Sequence, residues 1–410
     1  MQRIPMHFVT MLSPFGPAIR GVSPYADQLF SALNYVSDLD VGKLDYHSLY
    51  PTILFPASTG NAAPVENPVV RWNQIGSWKK AADISAPVMH MQYWTSLSAH
   101  YLVAIAHYLQ RQGKRCVVTV HNPDSHESIP ILSFFERRLL RLVDRIIVHS
   151  ESASDILCAR SPSLKDKIRV IAHGVAKQPD TGLRPGDHAL ADLSPDRQYV
   201  LIFGNLRGYK GIPTLLRAWQ RVIFRIQDAD LIIAGRFWDK GHTLASRIVA
   251  RILGTKKVAQ QIKTMIGSGN MDRRVILRNQ FVPDDVIDAY CRIAAVAVFP
   301  YDRFSGQSGA ATRAGSWGTP LIVSRTGALP SLAIDDDFIF RPGDCDALAH
   351  ALERLLSEPA QQAELRQRQL ARLASCYWDQ IAEQHAAVYR ELAKSKGGEN
   401  RHFTSASSTA

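Results

Sequence analysis

The sequence predicts an α/β protein of two tandem, doubly wound, Rossmann-like domains. Three observations carry this. Strand-like apolar runs alternate with helical patterns along most of the chain, the mark of parallel sheets with covering helices. The alternation halts between Lys177 and Arg197, in KQPDTGLRPGDHALADLSPDR, and then restarts, so the chain divides there. At 410 residues it also exceeds what one ordinary core organises. The expected organisation is a first domain over 1–178, a linker over 179–197, a second domain over 198–375, a last helix over 376–395 and a disordered tail over 396–410.

Each element follows from local pattern. HFVTML (7–12) is a strand and precedes a helix from about Tyr25 to Leu33, with Ser23 suited to the N-cap and Pro24 to the first turn. APVMHMQ (86–92) leads to a helix over about 96–112. CVVTVH (116–121) leads to PILSFFERRLLRLVD, and RIIVHS (145–150) leads to another helix, before RVIAHGV (169–175) closes the half. The second half reads YVLIFGN, a helix from Pro213, DLIIAGR, RVILRNQF, a helix from Asp284, VAVFPY, a helix, PLIVS and helices to the end.

Composition bounds the function. The apolar share of 46% and charged share of 21% are those of a globular chain. The apolar runs are strand-length, far below the ~18 residues that span a bilayer. The N-terminus lacks a signal peptide's apolar core, and five scattered cysteines form no disulfide or zinc pattern, so a cytoplasmic location is expected. The net charge of +11 calls for an acidic partner: a nucleotide diphosphate, an anionic lipid surface or nucleic acid. No zinc-finger spacing, RNP-like motif or long basic tract singles out nucleic acid, which is excluded.

In doubly wound folds ligands bind beyond the carboxyl ends of the strands, so the loops after strands hold the candidates. SPFGPAIRGVSPY (13–25) offers Gly16 and Gly21 as an amide cradle for phosphate or an acceptor's approach path; it also reads as an ordinary βα loop. It is not a GxGxxG fingerprint, which counts against a nicotinamide or flavin cofactor. TVHNPDSHESIP (119–130) places His121 at a strand end beside Asn122, Asp124 and His126. The ligand set is incomplete for a metal, and no metal is expected. FGNLRGYKG (203–211) puts Arg207 and Lys210 beside a helix start, a diphosphate site. LRNQFVPDD (277–285) offers Phe281 as a platform for a base, or as core. SGQSG (305–309) supplies amides and hydroxyls of Ser305, Gly306, Gln307, Ser308 and Gly309 at a helix start, suited to phosphate oxygens.

In this order and spacing the loops resemble the GT-B retaining glycosyltransferases of family 4 across nearly all of residues 5–395. The carriers are the Gly16–Gly21 loop, His121, RIIVHSE…IRVIAHGV, GNLRGYKG, FVPDDVIDAYCRIAAVAVFPY, GTPLIVSRTGALP and CYWDQIAEQHAAVYREL. The resemblance implies two domains facing a cleft. It implies sugar transfer from a nucleotide-diphosphate donor to an acceptor hydroxyl with retained configuration, without metal. Lys210 and Arg207 then neutralise the leaving diphosphate, Ser308 and Gly309 cap it, His121 contacts the sugar and backbone near Val282 holds the base. Gly204 and Asn205 belong to the donor loop, and Gly16, Tyr25 and Asn122 to the acceptor side. The last helix crosses back onto the first domain.

The chain departs from that pattern. The family's two glutamates, eight residues apart, are Ser305 and Arg313 here, and its loop arginine is Asn205, with Arg207 two residues on. Arg313 is then free to reach a phosphate or a carboxylate, and Ser305 and Gln307 to bond sugar hydroxyls. Branches of the family carry a QSG loop at the first of these positions, so a working but altered site is expected. The alternatives are a degenerate partner protein and an epimerase-like enzyme. Basic amphipathic stretches at 134–145 and 247–267 suggest peripheral contact with an anionic inner membrane. By resemblance, the acceptor is a lipid-linked or growing saccharide in exopolysaccharide or lipopolysaccharide assembly.

Overall fold

The computed structural model describes residues 8–16, 22–49, 68–124, 130–178, 190, 192–237, 255–268 and 271–399. The chain forms two compact units, Met1–Gly174 with Cys376–Ala410, and Val175–Ser375. Of the expected linker, residues 190 and 192–197 are described, and Leu190 and Leu193 are buried.

The first unit runs β1 (Val9–Leu12), α1 (Ser23–Leu33), β2 (Val41–Ser48), β3 (Pro68–Arg71), α2 (Ile75–Ile84), β4 (Val88–Tyr93), α3 (Ala99–Arg111), β5 (Arg115–Val120), α4 (Pro130–Leu142), β6 (Arg145–Val148), α5 (Glu151–Arg160) and β7 (Ile168–Val170). Its strands form one parallel seven-stranded sheet, ordered β3-β2-β1-β4-β5-β6-β7. The second unit runs β8 (Gln198–Phe203), α6 (Ile212–Arg225), β9 (Ala229–Ala234), α7 (Thr255–Ser268), β10 (Val275–Arg278), α8 (Asp284–Ile293), β11 (Val296–Phe299), α9 (Gly309–Ser316), β12 (Leu321–Ser324), β13 (Ile339–Phe340), α10 (Cys345–Ser357) and α11 (Gln362–Leu373). Its parallel sheet is ordered β10-β9-β8-β11-β12-β13. The doubly wound α/β class expected from the alternation is therefore what the chain forms.

Local chemistry explains the elements. Strands such as RCVVTV and ADLIIA are apolar and buried over nearly their whole length, as central parallel strands must be. Helix α6 buries Ile212, Leu215, Leu216, Trp219 and Val222 while Arg217, Arg221 and Arg225 face out, a 3.6-residue stripe. Strand β2 and helix α2 escaped the sequence reading. Gly42, Lys43, Asp45 and His47 interrupt the apolar pattern of β2, and its pairing with β1 and β3 makes it a strand. Ser23 is not the N-cap of α1: Val22 is, without a side-chain cap, and Ser23 lies in the first turn with its hydroxyl buried and unpartnered.

The last described element, α12 (Trp378–Glu399), runs past the expected limit at 395 and packs on α1 and β4 of the first unit. Strand alternation makes that face unusual. Met89, Met91 and Tyr93 pack into the apolar core on the opposite face, leaving His90 and Gln92 on this one. Ile381, Ala382, Ala386 and Leu392 of α12 close over the face together with Leu29 and Leu33 of α1.

Ile381 is fully buried there. Ile381→Ala is expected to destabilise the first unit by about 2–4 kcal/mol, read as an earlier denaturant midpoint with an unchanged slope.

Candidate active site

In the second unit the site grows from a buried cation. Gly204, just after β8, adopts φ +105°, and a Cβ there would come within 3.1 Å of Lys210 Nζ. Gly211 adopts φ +64°, and a Cβ there would fall 1.7 Å from the Pro300 carbonyl, so no other residue fits. Between these glycines a short 3₁₀ turn, Gly208–Lys210, carries the lysine inward until it is only 6% exposed. Its ammonium donates to the Tyr301 hydroxyl at 3.0 Å and lies 3.4 Å from the Phe203 carbonyl. No carboxylate pairs with it among the described residues, and burial pulls its pKa from 10.5 down to about 8.

Tyr301 joins that cation to the next loop. Its hydroxyl lies 3.0 Å from Ser308 Oγ, which also caps α9 by accepting from the Ala311 amide. The start of α9 and the ammonium therefore share one phenol. Ser305 and Gly306 are buried, and Gly309 is exposed at the helix start. Gly327 approaches this loop so closely that a Cβ would lie 2.8 Å from the Phe304 carbonyl and 3.0 Å from that of Gly306. Tyr209 stacks on Phe304, rings 5.9 Å apart and nearly parallel. Gln307 donates to Thr312 Oγ1 at 3.1 Å, while its Oε1 is buried without a partner. Asn205 and Arg207 are exposed in the loop after β8, ahead of Lys210.

The first unit holds a buried histidine cluster at the carboxyl ends of β4, β5 and β6. His121 follows β5, its Nε2 2.8 Å from Gln92 Oε1 and its Nδ1 3.2 Å from His149 Nε2. His149 Nδ1 donates to the Ile171 carbonyl at 3.0 Å. His90 lies 2.7 Å from both Tyr389 Oη and Thr119 Oγ1. Burial, then the neighbouring histidines, push His121 well below 6.5; burial first takes His149 to about 3 and His385 to about 4. Beside it, the loop after β1 is held by carboxylates: Phe15 N donates to Asp45 at 3.2 Å and Gly16 N to Asp27 at 3.0 Å. Burial raises Asp45 to about 6.

A profile described as Glycosyl transferases group 1 matches residues 197–358, and one described as Glycosyltransferase Family 4 matches residues 46–178. The chain belongs to the group 1, family 4 glycosyltransferases. It is 24% identical over 330 residues to D-inositol 3-phosphate glycosyltransferase of Saccharomonospora viridis, covering 74% of this chain and 70% of that protein. It is 26% identical over 311 residues to MMP alpha-(1->4)-mannosyltransferase of Mycolicibacterium hassiacum, covering 69% and 67%. Among solved structures it resembles sucrose-phosphate synthase of Thermosynechococcus elongatus, with TM-score 0.67 and 20% identity over 94% of this chain and 99% of that one. HepE of Anabaena, solved in complex with UDP and glucose, gives TM-score 0.68 and 14% identity over 94% and 100%. The fold is GT-B.

Within this glycosyltransferase several expected site residues sit elsewhere than expected. Arg313 is not a free cation: its guanidinium pairs with Asp288 at 2.7 Å and Asp284 at 2.9 Å, because α8 lays its acidic first turn along α9. Tyr25 is 3% exposed, its ring set among His121, His149, His173 and Trp378, so it is a core residue rather than a surface of the acceptor side. Of the two readings of Phe281, only core fails: β10 ends at Arg278, and Phe281 is 55% exposed in the loop that follows, next to a half-buried Val282. Asn122 donates to the Trp94 carbonyl at 2.8 Å, and Asp124 is ion-paired with Arg160. Gly16 adopts φ +79°, while Gly21 and His126 lie outside the described residues. No metal-binding group of His, Cys, Asp and Glu occurs among the described residues. Tyr301, Gly211, Gly327 and the histidine cluster escaped the sequence reading. The glycines inside GYKG and SRTGA were the available signals.

Burial of Lys210 makes stability depend on pH. Its depressed pKa means the unfolded chain binds this proton more tightly than the folded one. The associated stability is fully present above pH 10.5 and is lost as pH falls toward 8. At neutral pH the shift corresponds to about 3 kcal/mol. Lys210→Met is therefore expected to raise stability at pH 7 by about 1–3 kcal/mol, checked by thermal melting across pH 7–10.

Proposed function

We propose that this family 4 chain transfers a sugar from a nucleotide-diphosphate donor to an acceptor hydroxyl with retention of configuration. The observation that carries the reading is the Lys210 ammonium: a buried cation paired with no carboxylate among the described residues, tied through Tyr301 to the capped start of α9. A cation so placed is stabilised by an anion, and the anion that fits beside a helix N-terminus is a diphosphate. In transfer, the bond from the sugar's anomeric carbon to the phosphate oxygen breaks, and its electron pair stays on the departing diphosphate. The acceptor oxygen bonds the same carbon, and its proton is released. Charge develops on phosphate, where Lys210, the α9 amides and the nearby Arg207 oppose it without a metal. Backbone near Val282 and the exposed Phe281 ring offer a place for the base, and Ser305 and Gln307 for sugar hydroxyls.

Calorimetric titration with UDP, GDP and ADP in EDTA tests this. One nucleotide is expected to bind, with binding reduced at least tenfold by Lys210→Ala. No binding of any of the three at millimolar concentration overturns the reading and favours a non-catalytic partner protein.

The acceptor side of the proposal is a lipid-linked or growing saccharide of bacterial exopolysaccharide or lipopolysaccharide assembly, met at the cytoplasmic face of the membrane. Among the described residues no helix is long and apolar enough to cross a membrane. Helix α4 supports surface contact instead. Ile131 and Phe134 are 63% and 56% exposed, followed at helical spacing by exposed Arg137, Arg138 and Arg141. Its one acid, Glu136, is turned inward 3.7 Å from Arg160. An apolar edge backed by arginines suits an anionic interface. The full chain is expected to co-sediment with phosphatidylglycerol-containing vesicles at low salt but not with pure phosphatidylcholine, and Phe134→Ser with Arg138→Ser should release it.

A further inference from the structure

His121 has both ring nitrogens engaged inside the first unit, and the geometry determines where its proton sits. The Ile171 carbonyl can only accept, so His149 carries its proton on Nδ1 and offers a bare Nε2. His121 Nδ1, 3.2 Å from that bare nitrogen, must then be protonated. At the other side of the ring, Nε2 lies 2.8 Å from Gln92 Oε1. If that oxygen faced Nε2, His121 would need a second proton and become an imidazolium. The titratable groups around it are Tyr25 from α1, His90 from β4, His149 from β6, His173 beyond β7 and His385 from α12, with no carboxylate among the described residues there. A buried cation has nothing to balance it in that set.

Turning the Gln92 carboxamide over removes the conflict, since its oxygen and nitrogen occupy equivalent positions. Its NH₂ then donates to His121 Nε2, and its oxygen faces His90 Nε2 at 3.3 Å, ready to accept. His90, protonated on Nε2, also donates to Thr119 Oγ1 at 2.7 Å and accepts at Nδ1 from the Tyr389 hydroxyl at 2.7 Å. His121, Gln92, His149 and His90 then each have a partner at every ring nitrogen or carboxamide end, the His90 Nε2 proton being shared, and the network has no net charge.

We propose that His149 and Gln92 are positioning residues that hold His121 as the neutral Nδ1–H tautomer, its Nε2 lone pair being the ring's single acceptor. Resting on the transfer reading above, this assigns His121 one polarity toward a ligand. It accepts a hydrogen bond from a sugar hydroxyl at Nε2, displacing the Gln92 amide, and never donates one from that nitrogen. The C-terminal helix takes part, because the Gln92 oxygen fixes the His90 proton on Nε2 and the Tyr389 hydroxyl, free to donate, meets the bare Nδ1.

Long-range ¹⁵N–¹H correlation spectra of the imidazoles in the full chain test the proposal, with His121 assigned by its absence in His121→Gln. No nucleotide or acceptor is needed, so the result stands apart from whether the chain turns over a donor. The expected spectrum between pH 6 and 8 shows His121 with a protonated Nδ1 and an unprotonated Nε2. Gln92→Glu, which places an acceptor-only carboxylate at Nε2, is expected to make His121 doubly protonated at pH 7. His149→Phe is expected to release Nδ1 and give a mixture of tautomers. A wild-type His121 protonated on Nε2, or a spectrum unchanged in Gln92→Glu, overturns the proposal. If His149→Phe does not fold, the wild-type and Gln92→Glu spectra decide alone.

Discussion

The second unit is organised around an ammonium group held out of water. Lys210 reaches its place only because the backbone on each side is glycine in a left-handed conformation, and because a third glycine, Gly235, lets β9 close to the Gly204 carbonyl. Those contacts draw the loops after β8, β9 and β11 together. Tyr301 and Ser308 then couple the cation to α9, so the SGQSG loop takes its form from the lysine. A buried cation without a counter-charge is costly to fold, of the order of several kcal/mol for an uncompensated ion, and such a cost persists where a ligand's charge relieves it.

The first unit meets a different constraint. Alternation along β4, β5 and β6 sends His90, Gln92, Thr119 and His149 to one face of the sheet while the other face is apolar. A half-polar face under helices must have its hydrogen bonds closed internally. Helix α12 does this, bringing Trp378, His385 and Tyr389 from the far end of the chain. Its return to the first unit is therefore a requirement of hydrogen bonding as much as of apolar packing.

Much of this was legible in advance, and the failures have physical reasons. The long buried strands and the helices between them announced themselves through apolar runs and turn chemistry. Strand β2 did not, because Lys43, Asp45 and His47 break its pattern and its existence depends on the partner beside it. GYKG marks Lys210 as a candidate phosphate cation, but its burial was not readable, since that depends on a tyrosine 91 residues away. Arg313 read as a cation looking for a ligand; Asp284 and Asp288, one helix earlier, already hold it. Tyr25 reads as an acceptor-side residue and is core, and Phe281, readable as a base platform or as core, is exposed, because a single aromatic carries no sign of which way it faces.

The sequence by itself determined the two doubly wound sheets, the loops in which chemistry gathers and the glycines that let backbone approach closely, since period, turn residues and spacing are local properties. Only the tertiary structure decided which cation is buried, which is paired and which partners the buried histidines bond. Those outcomes depend on contacts between residues far apart in the chain, where burial and hydrogen-bond geometry set the energy of each charge.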